Sequence, residues 1–170
     1  MELIDIVPEF NLYEEYWKIY TNVASLPPQY YGMNSHVERS IVGEGSEIYG
    51  RVYNSVIGSD VVIGENTVVR DSIIMNDAKI GGGGEILKTI VAERARIGDN
   101  VRIGHGDDTP NETDPHIYTA GLVVVAEDAA IPPHVTIGRN VMIAGETTHE
   151  DYPDGYLPSG RTLRREGDAL

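Results

Sequence analysis

Five histidines, His36, His105, His116, His134 and His149, are the side chains best suited to proton transfer or metal binding near neutral pH. General acid–base work needs one of them held beside a substrate proton, and an imidazole metal centre needs three gathered at one point. Their spacing matches no known ligand set, so they are read as exposed surface histidines. The run from His105 to His116 adds Asp107, Asp108, Glu112 and Asp114, donors that suit a hard cation. It carries no recognised ligand spacing and is rich in turn residues, so it is read as a solvated loop projecting from one corner. Arg161, Arg164 and Arg165 near the end are suited to an anion, but in a tail broken by Pro153, Pro158 and several Gly they read as a loosely ordered basic end. The chain has no Cys, which rules out thiolate catalysis, disulfides and Cys-based zinc sites. No Gly-rich phosphate loop follows a strand pattern. The residues therefore assign no catalytic site and no metal site.

What must position any chemistry is a ruler from Ile57 to Gly104. Ile57, Ile63, Val69, Ile74, Ile80, Ile86, Val91, Ile97 and Ile103 follow one another at spacings of six, six and five, repeated. A strand alternates with period two and a helix with period 3.6, so neither explains this. A fixed short period with Gly just after the aliphatic marks an all-β fold, a parallel β-helix built of hexapeptide repeats. Each coil then has three short strands, each sending one aliphatic into the shaft. Gly58, Gly64, Gly81, Gly98 and Gly104 are expected at corners that need torsions suited to Gly. Four places after the aliphatics stand Val61, Thr67, Ala78, Gly84, Ala95 and Val101, small enough for tight stacking.

The repeat begins loosely at Val37, where Val42, Ile48, Val52 and Ile57 are spaced six, four and five, and Arg39, Arg51 and Tyr53 are expected to face outward. It resumes after the loop with Val125, Ile131, Ile137 and Ile143. The domain reading is a connector or strap over residues 1–36, a β-helix over 37–145 with a loop insertion at 105–122, and a tail over 146–170. The strap is aromatic, holding Phe10, Tyr13, Tyr16, Trp17, Tyr20, Tyr30 and Tyr31. Five or six coils at about 4.8 Å give a shaft of roughly 25–30 Å. Flat faces with exposed edges favour a homo-oligomer. A formal net charge of -14 argues against nonspecific binding to nucleic acid or anionic membranes. With no long apolar run and no signal-peptide pattern, the chain is expected to be cytoplasmic.

Three segments together resemble the C-terminal domain of glucose-1-phosphate adenylyltransferase (ADP-glucose pyrophosphorylase). The first is Phe10-Asn11-Leu12-Tyr13 through Trp17-Lys18-Ile19-Tyr20-Thr21 and Leu26-Pro27-Pro28. The second runs from Ser40-Ile41-Val42-Gly43-Glu44-Gly45 through Asn54-Ser55-Val56-Ile57-Gly58 to Val69-Arg70-Asp71-Ser72-Ile73-Ile74-Met75. The third is Glu112-Thr113-Asp114, Ala120-Gly121-Leu122-Val123-Val124-Val125 and Ile131-Pro132-Pro133. The second segment is also similar to mannose-1-phosphate guanylyltransferases; the first and third favour the adenylyl enzyme.

The resemblance implies a left-handed β-helix that assembles tetramers and contributes to allosteric control. Catalysis in that family, ATP plus glucose 1-phosphate giving ADP-glucose and pyrophosphate, belongs to a preceding nucleotidyltransferase domain with Mg2+. That domain is absent from the sequence in hand, which is expected to be inactive alone. No cofactor is assigned to these residues. The resemblance also implies a phosphorylated-sugar effector held by basic residues, with Arg39, Arg51 and Arg96 as the candidates. Arg96, in Arg94-Ala95-Arg96-Ile97-Gly98, stands at one family position; at the other this chain has Ala126 beside Glu127 and Asp128, a departure from the plant-type activator site. The competing reading is a stand-alone hexapeptide-repeat acyltransferase or γ-class carbonic anhydrase, which would draw on the five histidines.

Overall fold

The computed structural model describes residue 16 and residues 25–165. They form a left-handed parallel β-helix with three flat faces. The first face has six strands, Tyr30–Tyr31, Glu47–Ile48, Val62–Ile63, Lys79–Ile80, Arg96–Ile97 and Ala130–Ile131. The second has seven, His36–Glu38, Arg51–Tyr53, Val68–Arg70, Glu85–Leu87, Arg102–Ile103, Thr136–Ile137 and Tyr156–Leu157. The third also has seven, Ile41–Val42, Val56–Ile57, Ile73–Ile74, Thr89–Val91, Val123–Val125, Met142–Ala144 and Thr162–Arg164.

The columns read from the spacing are the columns observed. Ile63 pairs with Ile80 and Ile80 with Ile97 on the first face. Val69 and Ile103 flank Ile86 on the second, and Ile57 and Val91 flank Ile74 on the third. These side chains are buried in one continuous core, and each contributes roughly 2–3 kcal/mol by leaving water. The small residues Val61, Thr67, Ala78, Ala95 and Val101 are buried at the corners as well.

Corners differ from expectation in a way that explains the five-residue step. Of the five corner glycines only Gly104 has a left-handed backbone, with φ +87. Elsewhere the left-handed residue stands three places beyond the inward aliphatic, most often Asn or Asp, at Asp60, Asn66, Asp77, Asn100, Asp128 and Asn140, with Arg94 and His134 at the same offset. Asn and Asp tolerate this region because their short polar groups bond locally. Between the second and third faces it comes one place sooner, at Arg39, Asn54, Asp71 and Lys88. That tighter corner is closed by hydroxyls. Ser55, Ser72 and Thr89 each donate to the carbonyl two residues back, at 2.7–2.8 Å, and Ser55 and Ser72 accept the N–H of the next coil, at 3.2 and 3.1 Å.

The other four corner glycines, Gly58, Gly64, Gly81 and Gly98, serve close stacking instead of torsion. A Cβ on Gly98 would stand 2.5 Å from Pro133 N and 2.8 Å from Pro133 Cα, both backbone atoms that cannot swing away. Gly98→Ala is expected to cost about 3 kcal/mol by forcing two coils apart. A denaturation midpoint equal to that of the parent protein would refute the close-contact account.

Both ends of the shaft extend beyond the sequence reading. Tyr30–Tyr31 and His36–Glu38 are already strands, so the repeat begins before Val37; the rest of the strap lies outside the described residues, residue 16 excepted. At the other end Tyr156–Leu157 pairs with Thr136–Ile137, and Thr162–Arg164 with Met142–Ala144. The tail is therefore not loosely ordered up to residue 165. Leu157 joins the core and Leu163 packs against it, which gives the last regular coil an apolar cover.

The loop over residues 105–122 is likewise docked and not merely solvated. Asn111, 3% exposed, donates to Asn140 O at 2.9 Å and Arg161 O at 3.3 Å. Asn140 donates to Asp108 Oδ1 and Thr109 O, and accepts from Gly121 N. Arg161 pairs with Glu112 at 2.8 Å, and Arg165 with Asp151. The tail is pinned by the loop through the Asn111 and Glu112 side chains and the bond from Glu112 N–H to Gly160 O.

Candidate functional site

Outward-facing residues decide what the shaft presents. On the first face they include Glu47, Lys79 and Arg96, and on the second Arg51, Glu85 and Arg102. The third face is different. Ile41, Val56, Ile73, Ile90, Val124 and Met142 stand in register on six successive strands. All six are half-buried, shielded by one another, and Met75 beside them is 40% exposed. Ala92 and Ala126 continue the apolar strip. A chain with 27 Asp and Glu thus keeps charge off six rows of one face, the signature of a contact surface.

A second group of residues gathers arginines beside the carboxylates of Glu38 and Asp71. Arg51 and Arg39 lie in the first two coils, Arg51 on the second face and Arg39 at the corner leading to the third. Both are exposed and neither makes an ion pair among the described residues. Arg70 lies over the ring of Tyr53 at 4.6 Å, and the His36 ring is 5.4 Å from Tyr53 on the other side. Arg96 is not with them. It projects from the first face, and its guanidinium is bound to Glu146 at 2.8 Å. Arg94 nearby is clamped by Glu127 and Asp128, the carboxylates that mark the departure from the plant-type pattern. Both partners of the Arg96 pair are well exposed, so it is worth at most about 1 kcal/mol; an anion reaching Arg96 would still have to displace Glu146.

The histidines do not gather. His36 is on the second face, His105 at the start of the loop, His134 at a corner and His149 in a 3-10 turn. Among the described residues no three His, Asp or Glu side chains converge to hold a metal ion. His105 differs from the expected exposed histidine, since its side chain is 24% exposed. Its Nε2 lies 3.1 Å from Glu85 Oε2 without the alignment of a hydrogen bond, and Arg102 approaches Glu85 at 3.3 Å. Burial first, then the Arg102 and Arg139 charges, lower the His105 pKa; Glu85 opposes them.

A folded-state pKa below the usual value of about 6.5 means the unfolded chain binds the extra proton. His105 should therefore reduce stability as pH falls below about 6.5, level off below its folded pKa, and have no effect above about 7.5. His105→Gln is expected to flatten the urea midpoint between about pH 5 and 7. An unchanged slope would remove His105 as the titrating group.

The coil geometry defines a hexapeptide-repeat β-helix protein with one largely apolar face. Within that class the chain belongs to the GlmU-like, C-terminal hexapeptide family, whose model matches residues 24–125. It is 54% identical over 168 residues, 99% of its length, to a glucose-1-phosphate adenylyltransferase of Lachnospira eligens, of which it covers 40%. It is 42% identical over 168 residues to the enzyme of the same name from Acetivibrio thermocellus, covering 99% of this chain and 39% of that protein. The chain thus spans about 40% of the length of the curated relatives it matches. Among solved structures, an acetyltransferase described as putative from Desulfovibrio desulfuricans G20 shares 14% identity at a TM-score of 0.43, covering 78% of this chain and 25% of that one.

The apolar face was missed from sequence although its signal was present. The doublets Val56-Ile57, Ile73-Ile74, Ile90-Val91 and Val124-Val125 each hold one inward and one outward aliphatic. Arg70 was missed because its partner Tyr53 lies seventeen residues away and one coil below.

Proposed function

We propose that this chain is the assembly and regulatory β-helix of a cytoplasmic glucose-1-phosphate adenylyltransferase. The observation that carries the reading is end-to-end identity of 54% with a protein of that name over only 40% of its length. In this reading ATP and glucose 1-phosphate form ADP-glucose and pyrophosphate on a separate nucleotidyltransferase domain. Mg2+ would belong to that domain. The contribution of this chain is mechanical. The third face packs against another subunit in a homo-oligomer, which buries Ile73, Ile90 and Val124 and aligns the catalytic domains. A phosphorylated-sugar effector binds cationic residues, with Arg39, Arg51 and Arg96 the candidates.

The test begins with the reading frame upstream of Met1. It is expected to encode a nucleotidyltransferase domain, and the full product to make ADP-glucose, while the 170 residues alone make none. A frame without that domain, or acetyl transfer from acetyl-CoA by the isolated chain, would overturn the proposal. Arg96→Ala in the full product is expected to weaken effector binding in calorimetry; unchanged affinity would remove Arg96 from the candidates.

A further inference from the structure

We infer that two copies of this chain close their third faces about a two-fold axis running along the shaft, so that the shafts lie parallel and each coil meets the same coil of its partner. The arrangement rests on the reading that the third face packs against another subunit, and the rows of charge beside that face select it.

Shape leaves two possibilities. The apolar strip runs in register from Ile41 to Met142 over six strands, roughly 25 Å long and 10 Å wide. A two-fold interface uses one patch twice, and so narrow a strip overlaps itself fully only if the axis lies along it or across it. An axis along the shaft sets every row against itself, Ile41 against Ile41 and Met142 against Met142. An axis across the shaft makes the shafts antiparallel and, when centred, sets Ile41 against Met142 and Ile73 against Ile90. The strip alone falls well short of the ~800 Å² per partner of stable complexes. The corner rows on either side must therefore close as well.

Those rows differ in charge. The corner after the third face carries Glu44, Asp60, Asp77, Glu93, Glu127 and Asp128, all exposed except the half-buried Glu93. Its cation, Arg94, is already held by Glu127 and Asp128, with Glu93 at 3.7 Å. The corner before the third face is mixed in sign. Arg39 and Lys88 stand on it, with Arg70 at the end of the adjoining strand, against Glu38 and Asp71. The loop over residues 105–122 leaves the same corner in the fifth coil, where Asp108 accepts from Asn140 and Glu112 holds Arg161.

An axis along the shaft lays the acidic corner of each copy against the mixed corner of the other. Level coils then bring Arg39 opposite the partner's Glu44, and Lys88 opposite the partner's Glu93. Asp71 comes opposite Asp77, with Arg70 beside it to offset the repulsion. An axis across the shaft lays the acidic corner against its own reverse, so Asp77 meets Glu93 and Asp60 meets Glu127, each twice. It gains only Asp71 against Lys88 in return. Like charges brought together in a closing interface are strongly unfavourable. At a net charge of -14 per copy, no surplus of cations relieves them.

The chain has no Cys, so single cysteines report the arrangement without background. A bis-maleimide spanning about 10 Å, the spacing of packed sheets, is expected to link Ile41→Cys to itself and Met142→Cys to itself, and to give no mixed product from the two together. Sedimentation equilibrium supplies a second readout. Glu93→Lys should raise the dissociation constant about tenfold, since a change at a two-fold interface counts twice, and adding Lys88→Glu should restore it. Antiparallel shafts require the opposite sign, tighter association of Glu93→Lys against Asp77. Both side chains lie at the surface, so the melting temperature should stay at the parent value. A mixed product of Ile41→Cys with Met142→Cys, or tighter association of Glu93→Lys, would overturn the parallel arrangement and leave the assembly reading standing. Monomer alone at high micromolar concentration, or association that Ile73→Asp leaves unchanged, would overturn the assembly reading and this arrangement with it.

Discussion

Asn111→Ala is expected to cost about 3 kcal/mol and to lower the melting temperature by roughly 6–12 °C. Five hydrogen bonds meet on this one side chain. Its Oδ1 accepts from Thr113 N and Asp114 N, both at 2.9 Å, and from Thr162 Oγ1 at 3.2 Å. Its Nδ2 donates to Asn140 O and Arg161 O. Truncation removes the side-chain partner of the buried Asn140 O and of the partly buried Thr113 and Asp114 N–H groups, and unmade bonds cost more than made ones return. The damage should be local, because a solenoid coil depends mainly on its neighbours. Hydrogen exchange is expected to quicken at Met142–Ala144 and Thr162–Arg164 and stay slow at Ile73–Ile74. Uniform acceleration along the shaft would refute the local clamp, and a melting change under about 2 °C would show that water replaces the side chain.

Ile73→Asp is the second large effect, and it acts on assembly. The apolar strip spans six strands, so it is roughly 25 Å long and one short strand, about 10 Å, wide. Its projected area is a fraction of the ~800 Å² per partner typical of stable complexes, so a charge at its centre has little remaining contact to offset it. Burying an Ile contributes about 2 kcal/mol; stranding a carboxylate in a closed interface costs several more. The dissociation constant of the proposed homo-oligomer should rise about a thousandfold. Sedimentation should show smaller species, while far-UV circular dichroism stays constant because Ile73 points away from the core. Unchanged sedimentation would mean that subunits meet on another face. Lys79→Asp, on the outward side of the first face, serves as the control.

The shaft was legible because its cause is local and repeated. One inward aliphatic per strand at steps of six, six and five leaves few other folds, since every coil must bury the same column as the last. The first short coil was legible for the same reason. The corners were read less well. A glycine after the aliphatic suggested a torsional need at Gly58, Gly64, Gly81 and Gly98, whereas the need is for space against the next coil. Sequence shows that a side chain is missing but not whether torsion or proximity removed it.

The candidate sites divide along the same line. Arg39 and Arg51 could be singled out because they sit in the irregular first coils, and Arg96 because of family resemblance. Which arginines lack a carboxylate depends on partners as distant as Arg96 and Glu146, fifty residues apart in sequence. The sequence by itself determined the coil, its columns and the place where the rhythm breaks. Only the tertiary structure decided that the loop and tail close over the last coils, that six rows of one face line up without charge, and that Arg70 comes to rest on Tyr53. A repeating pattern encodes contacts between equivalent positions of neighbouring coils; contacts between unlike segments follow no period and are settled only when the chain has folded.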